Sequence, residues 1–170
     1  IGKKIIGYFI GIIMVFSAFG VVFFGFSAGS SGTVKYNSFK FIDKGNFWSV
    51  NVNGREALFT YLPDEAASIN VESSAVERLK NVVQIDTTSE FNDTLAEPIA
   101  LAQFQMGITL NNFGIYLRSG FIGNTSRFPI IKCEDATSFV PVIYFKSANE
   151  TKIYSDGSCV RAEAANSADA

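Results

Sequence analysis

The sequence contains no histidine. Ser-His-Asp catalysis, Cys-His catalysis and His-ligated metal sites are therefore excluded at the outset. Cysteine is nearly as scarce, with two in 170 residues, too few for a cysteine-ligated metal cluster or a multi-bridge scaffold. A basic surplus is also missing. Lys3 and Lys4 precede a long apolar run, and the remainder of the chain carries 12 basic against 16 acidic residues. A mildly acidic domain with no basic stripe lacks the electrostatic footprint of a nucleic-acid binder, so nucleic acid is set aside as a partner. There is no Walker loop, no GxGxxG and no haem motif, and no cofactor is expected. Ser119 in Arg118-Ser119-Gly120 lacks the flanking glycines of a nucleophile elbow.

What the sequence does have is a hydrophobic start. Residues 5–26 read IIGYFIGIIMVFSAFGVVFFGF, 22 residues without a charge. As a helix this run spans about 33 Å, enough to cross a hydrocarbon core of roughly 30 Å. It exceeds the roughly 7–15 residues of a secretory h-region, so a retained single-pass membrane anchor is expected. Lys3 and Lys4 place its N-terminus in the cytoplasm and everything after it outside. Gly7 and Gly11 form a GxxxG pair, and Ser17, Ala18 and Gly20 add a second small-residue patch. Such patches let helices approach closely in lipid, although glycine is also simply common in transmembrane helices. Several of the 17 phenylalanines lie in this run; the others are read as core residues.

The domain reading follows: an N-terminal hydrophobic helix over residues 1–27, a linker over 28–33, an extracytoplasmic domain over 34–162 and a flexible tail over 163–170. Within the domain, Asn53-Gly54 between two alternating segments predicts a two-residue type I′ hairpin. That register sets Val50 opposite Ala57 and Trp48 opposite Phe59 on one face. Residues 34–41 read as one further strand. Ser74 to Glu77 and Thr94 to Glu97 have capping-box spacing and predict two helices. The second carries Pro98 in its first turn and presents Ile99, Ala102, Met106 and Phe113 before Gly114. Strands are expected at 82–86, 115–118, 140–146, 151–154 and 159–162. The order predicts an α+β fold, with two helices on one face of a mostly antiparallel sheet.

Cys133 and Cys159 form an even pair on the side expected to be outside. A disulfide between them closes a loop worth roughly 3.5 kcal/mol in chain-entropy terms. The rival readings are two core thiols or a metal pair, the latter disfavoured with no histidine and no third cysteine. Asn92-Asp93-Thr94, Asn124-Thr125-Ser126 and Asn149-Glu150-Thr151 match the N-glycosylation sequon, all in segments read as loops or turns. Asp86, Glu134 and Asp135 are the candidate acidic residues for Ca²⁺ or acid–base chemistry. Neither cluster has calcium-loop spacing, and adjacent acids usually face solvent.

At Cys133-Glu134-Asp135-Ala136-Thr137, Pro141-Val142-Ile143, Thr151-Lys152-Ile153 and Cys159-Val160, the sequence resembles a group of short archaeal membrane proteins. Those proteins resemble it also in a Lys-flanked N-terminal helix and a following Tyr-Asn strand, here Tyr36-Asn37. The likeness covers about half the chain. The group has no assigned activity, so the resemblance implies location and architecture only.

Three functional expectations result. The leading one is a non-enzymatic subunit of a membrane or cell-surface assembly, whose partners are the lipid bilayer, other subunits met through the N-terminal helix (self-association included) and N-linked glycans. The second is a pilin-like filament subunit with the hydrophobic helix in the core. Lys3 and Lys4 oppose it, because two charges would have to be neutralised there. The third is an ectoenzyme or ligand-binding ectodomain, which a pocket lined by Asp86, Glu134 or Asp135 would support.

Overall fold

In the computed structural model, which describes residues 32–123 and 127–167, the Asn53-Gly54 turn forms as its residues require. Both central residues have positive φ, 53° and 82°, as a type I′ turn demands. The turn joins β3 (Trp48–Val52) to β4 (Arg55–Phe59), with Val50 opposite Ala57 and Trp48 opposite Phe59. The single strand expected over residues 34–41 is instead two, β1 (Thr33–Tyr36) and β2 (Phe39–Asp43). Asn37, at φ 51°, takes the left-handed conformation that asparagine tolerates and reverses the chain. The four strands form one sheet in sequence order, with β2, β3 and β4 antiparallel. Phe41, Val50 and Ala57 are buried in line across it, and Leu62 and Phe113 pack against them.

The rest of the domain comprises α1 (Pro63–Ala66), β5 (Asn70–Val71), α2 (Ser73–Arg78), β6 (Gln84–Ser89), α3 (Ala96–Asn112), β7 (Tyr116–Phe121), β8 (Val142–Ser147), β9 (Lys152–Asp156) and β10 (Cys159–Ala164). Their strands build a second sheet in the order β5-β9-β10-β8-β6-β7. Here the antiparallel expectation needs correcting. Only β9 and β10 run antiparallel, while β5–β9, β10–β8, β8–β6 and β6–β7 are parallel. The cause lies in the connections. Helix α3 carries the chain from β6 back over the sheet into β7, and a crossover of that length returns a parallel strand. The fold is thus mixed α+β, one antiparallel sheet and one mainly parallel sheet.

Helix α1 was not expected, and neither capping box forms. The N-cap residues are Glu72 and Leu95 rather than Ser74 and Thr94, and neither makes a side-chain cap. At α3 the Asp93 carboxylate accepts the Leu95 N–H at 2.7 Å instead. The last strand runs to Ala164, with Glu163 and Ala164 buried, so it enters the segment expected to fray.

Alternation along the strands sorts the second sheet into two faces. Ile85, Ile143 and Val160 point to one face and meet Ala75, Leu79, Met106 and Leu110. Helices α2 and α3 cover that face. Burying Ile85, Ile143 and Val160 contributes about 1.5–3 kcal/mol each. Helix α3 also reaches the first sheet: Thr109 Oγ1 donates to the Leu58 carbonyl at 3.0 Å, and Asn112 Nδ2 to the Glu56 carbonyl at 3.1 Å. The long helix is therefore the layer between two sheets. Among the described residues no helix is long and apolar enough to cross a membrane. The predicted anchor, with Gly7, Gly11, Ser17, Ala18 and Gly20, lies outside the described residues, as does the linker up to residue 31.

Candidate functional site

Three surfaces carry more than packing. The first is the groove where the four-stranded sheet meets α3. It encloses about 690 Å³ and is lined by Ala57, Phe59, Tyr61, Leu101, Ala102 and Met106, among others. Among the described residues no charged side chain lines it. Phe59, Tyr61 and Leu101 on its walls are 43%, 50% and 56% exposed, an unusual amount of large apolar surface to leave in water. A hydrogen bond from Thr60 Oγ1 to Gln105 Oε1, at 2.8 Å, ties sheet to helix within this groove.

The second surface is the helix-free face of the six-stranded sheet. Period-two alternation brings Lys152, Glu163 and Lys146 into one row, and Tyr154, Arg161 and Tyr144 into the next. Glu163 is only 7% exposed, and Lys146 and Lys152 approach its carboxylate at 3.1 and 3.5 Å. Tyr154 donates its hydroxyl to the same carboxylate at 2.9 Å. Burial alone would raise the Glu163 pKa, but the hydrogen bonds from Lys146 and Tyr154 and the two lysine charges outweigh it and hold the carboxyl below its ordinary value. Tyr144 is pushed the other way, up to about 12, by burial and by donating to Glu90 at 3.0 Å. Arg161 lies over the Tyr144 ring, 5.3 Å from its centroid, and pairs with Asp156 at 2.6 Å. Every charge in this lattice has a partner within it. A lattice so satisfied holds three strands in register and leaves little to offer a ligand.

The third feature is the segment that closes the other half of the same face. Cys133, in a short 3₁₀ turn (Cys133–Asp135), is disulfide-bonded to Cys159 at the start of β10. The bond lays Ile131, Cys133 and Ala136 over Val142, Tyr144 and Cys159. Thr88 Oγ1 donates to the Ile131 carbonyl at 2.7 Å, fastening the same segment from β6. Gly120 lets the segment descend this far. A Cβ there would collide with the Pro129 carbonyl and sit 2.9 Å from the Ile131 side chain.

The acidic candidates separate. Asp86 is 2% exposed, receives a bidentate hydrogen-bond pair from Arg118, and accepts Gln84 Nε2 at 2.9 Å. Glu134 and Asp135 are exposed, and Asp135 accepts the Lys132 N–H at 2.8 Å. None of the three lines the groove beside α3 or the two smaller grooves, although Asp135 lies near enough to Arg118, the partner of Asp86, for its charge to be felt there. Asn92 and Asn149 are exposed on turns, and Asn124 lies outside the described residues. The groove residues carry no motif, since they come from segments some 40 residues apart in sequence. The polar lattice did leave a trace: Lys152 with Tyr154 and Arg161 with Glu163 alternate at the spacing of one strand face.

Fold and geometry together define a disulfide-bonded, mixed α+β domain with an uncharged groove between sheet and helix. No family model, curated protein or solved structure matches the chain.

Proposed function

We propose that this chain is a non-enzymatic interaction subunit, held at a membrane by its N-terminal hydrophobic segment and engaging a second protein outside the cytoplasm. The observation that carries the reading is the uncharged groove with Phe59, Tyr61 and Leu101 exposed on its walls. Apolar side chains in a concave site, with only a few polar groups, suit the insertion of apolar side chains from a partner. The Cys133–Cys159 disulfide supports the compartment, because such bonds persist outside the reducing cytosol. The paired state of Asp86 and the solvent exposure of Glu134 and Asp135 favour this reading over an acid–base site.

The test is mild solubilisation of the full chain from its native membrane, followed by sizing and mass spectrometry. The full chain runs with a partner at fixed stoichiometry. Leu101→Glu, placed on an exposed helical position, releases the partner while the melting temperature stays put. A full chain that runs as a lone monomer overturns the proposal.

A further inference from the structure

Two of the three sequons meet at one rim of the six-stranded sheet. Asn92 follows the carboxyl end of β6, and Asn149 follows the carboxyl end of β8, the strand paired beside it. The two turns are joined to each other. Asp93, the middle residue of the first sequon, accepts the Ser147 N–H at 2.9 Å through one carboxylate oxygen and the Leu95 N–H at 2.7 Å through the other. Burial raises the Asp93 pKa, but these backbone hydrogen bonds and the nearby Lys146 charge overcome it and keep the carboxyl ionised below its ordinary range. The pinned Asp93 thus fixes the Asn92 turn against the strand end that leads to Asn149. Asn92 and Asn149 themselves are exposed, and neither carboxamide is engaged in a hydrogen bond among the described residues.

We propose that Asn92 and Asn149 are both N-glycosylated and that their glycans jointly cover the rim at the carboxyl ends of β6 and β8. The inference rests on the extracytoplasmic reading above, because transfer to asparagine takes place on that side of a membrane. The donor is an oligosaccharide on a polyprenyl phosphate carrier, and a membrane transferase supplies the catalysis. The asparagine amide nitrogen attacks C1 of the first sugar, the C1–O bond to the carrier phosphate breaks, and the lipid phosphate leaves with the electron pair. The amide loses one proton to the transferase, and nothing is oxidised or reduced. The consequence is spatial. The carboxyl ends of parallel strands are where open α/β sheets most often receive ligands. Two glycans there close that approach to a macromolecule and leave the apolar groove beside α3 as the accessible surface.

The test uses the full chain carrying Asn124→Gln, so that any glycan signal comes from the other two sites. It is expressed in a host whose transferase modifies a reporter Asn-X-Thr, recovered from membranes, and read by intact mass and glycopeptide mapping. Two glycan increments are expected; Asn92→Gln and Asn149→Gln each remove one, and the double variant removes both. Protease added outside intact cells or sealed vesicles reports topology in the same samples. A domain that is exposed yet carries no glycan, or only one, overturns the paired rim and leaves the export reading standing. A domain shielded inside overturns both.

Discussion

Gly120 is the residue whose replacement has the most direct structural consequence. Its missing side chain is the space through which residues 129–131 reach the sheet, and a methyl group would meet backbone as well as Ile131. Gly120→Ala is expected to destabilise the domain by about 1–3 kcal/mol, the usual cost of overpacking. Denaturant unfolding measures it as a lower midpoint at unchanged slope. Glu163 gives a prediction in pH. Its folded-state pKa lies below the ordinary 4.5, so its stabilisation is present above that value and is lost as pH falls through the depressed one. Thermal melts followed downward from about pH 6 should fall in the wild type, and the Glu163→Gln variant should lack this residue's share of the slope. Tyr144 behaves in the opposite sense. Its pKa is raised from 10.0 to about 12, so its stabilisation is intact below 10.0 and is lost as pH rises toward 12. Phenolate absorbance should show a late titration to which Tyr154, also raised by burial and its bond to Glu163, contributes, and Tyr144→Phe should remove the latest part of it.

At the scale of elements, the disulfide and the hairpins divide the local from the non-local. Removing the bond by Cys133→Ser with Cys159→Ser should cost about 2–5 kcal/mol. Limited proteolysis should then cut first between residues 132 and 140, because residues 128–131 stay held by the Phe121 backbone bonds, the Phe121–Phe128 ring contact and the Thr88 hydrogen bond. The β3–β4 hairpin was legible to the register, since Asn53-Gly54 and the alternation around it carry their own geometry. The course of α3 was legible from Ile99, Met106 and Phe113, all on buried or packed positions. Its cap was not, because Asp93 rather than Thr94 takes up the free N–H. Strand pairing was least legible. Nothing in residues 159–162 marks a strand with neighbours on both sides, yet β10 lies between β8 and β9, and Glu163, expected in the tail, has its charge matched across the face. The strand expected at 115–118 runs on through Gly120 to Phe121, because the close neighbour that needs a glycine there, Ile131, enters only through the tertiary fold.

For the whole molecule, the groove depends on two layers being assembled at once. The first sheet and the bend after it supply Phe59 and Tyr61, α3 supplies Leu101 and Met106, and neither wall is a pocket alone. No local motif could announce it, which is why the site was invisible in the sequence while the fold class was not. The order of the strands has a further bearing on how such a domain assembles. The strand inside the larger sheet, β10, is the last in chain order among the described residues. Until it emerges, β8 and β9 have no partner between them, and Cys133 has no Cys159 to join. Pairing of the larger sheet therefore waits on β10: its docking joins β8 to β9 and brings Cys159 to Cys133 in one step.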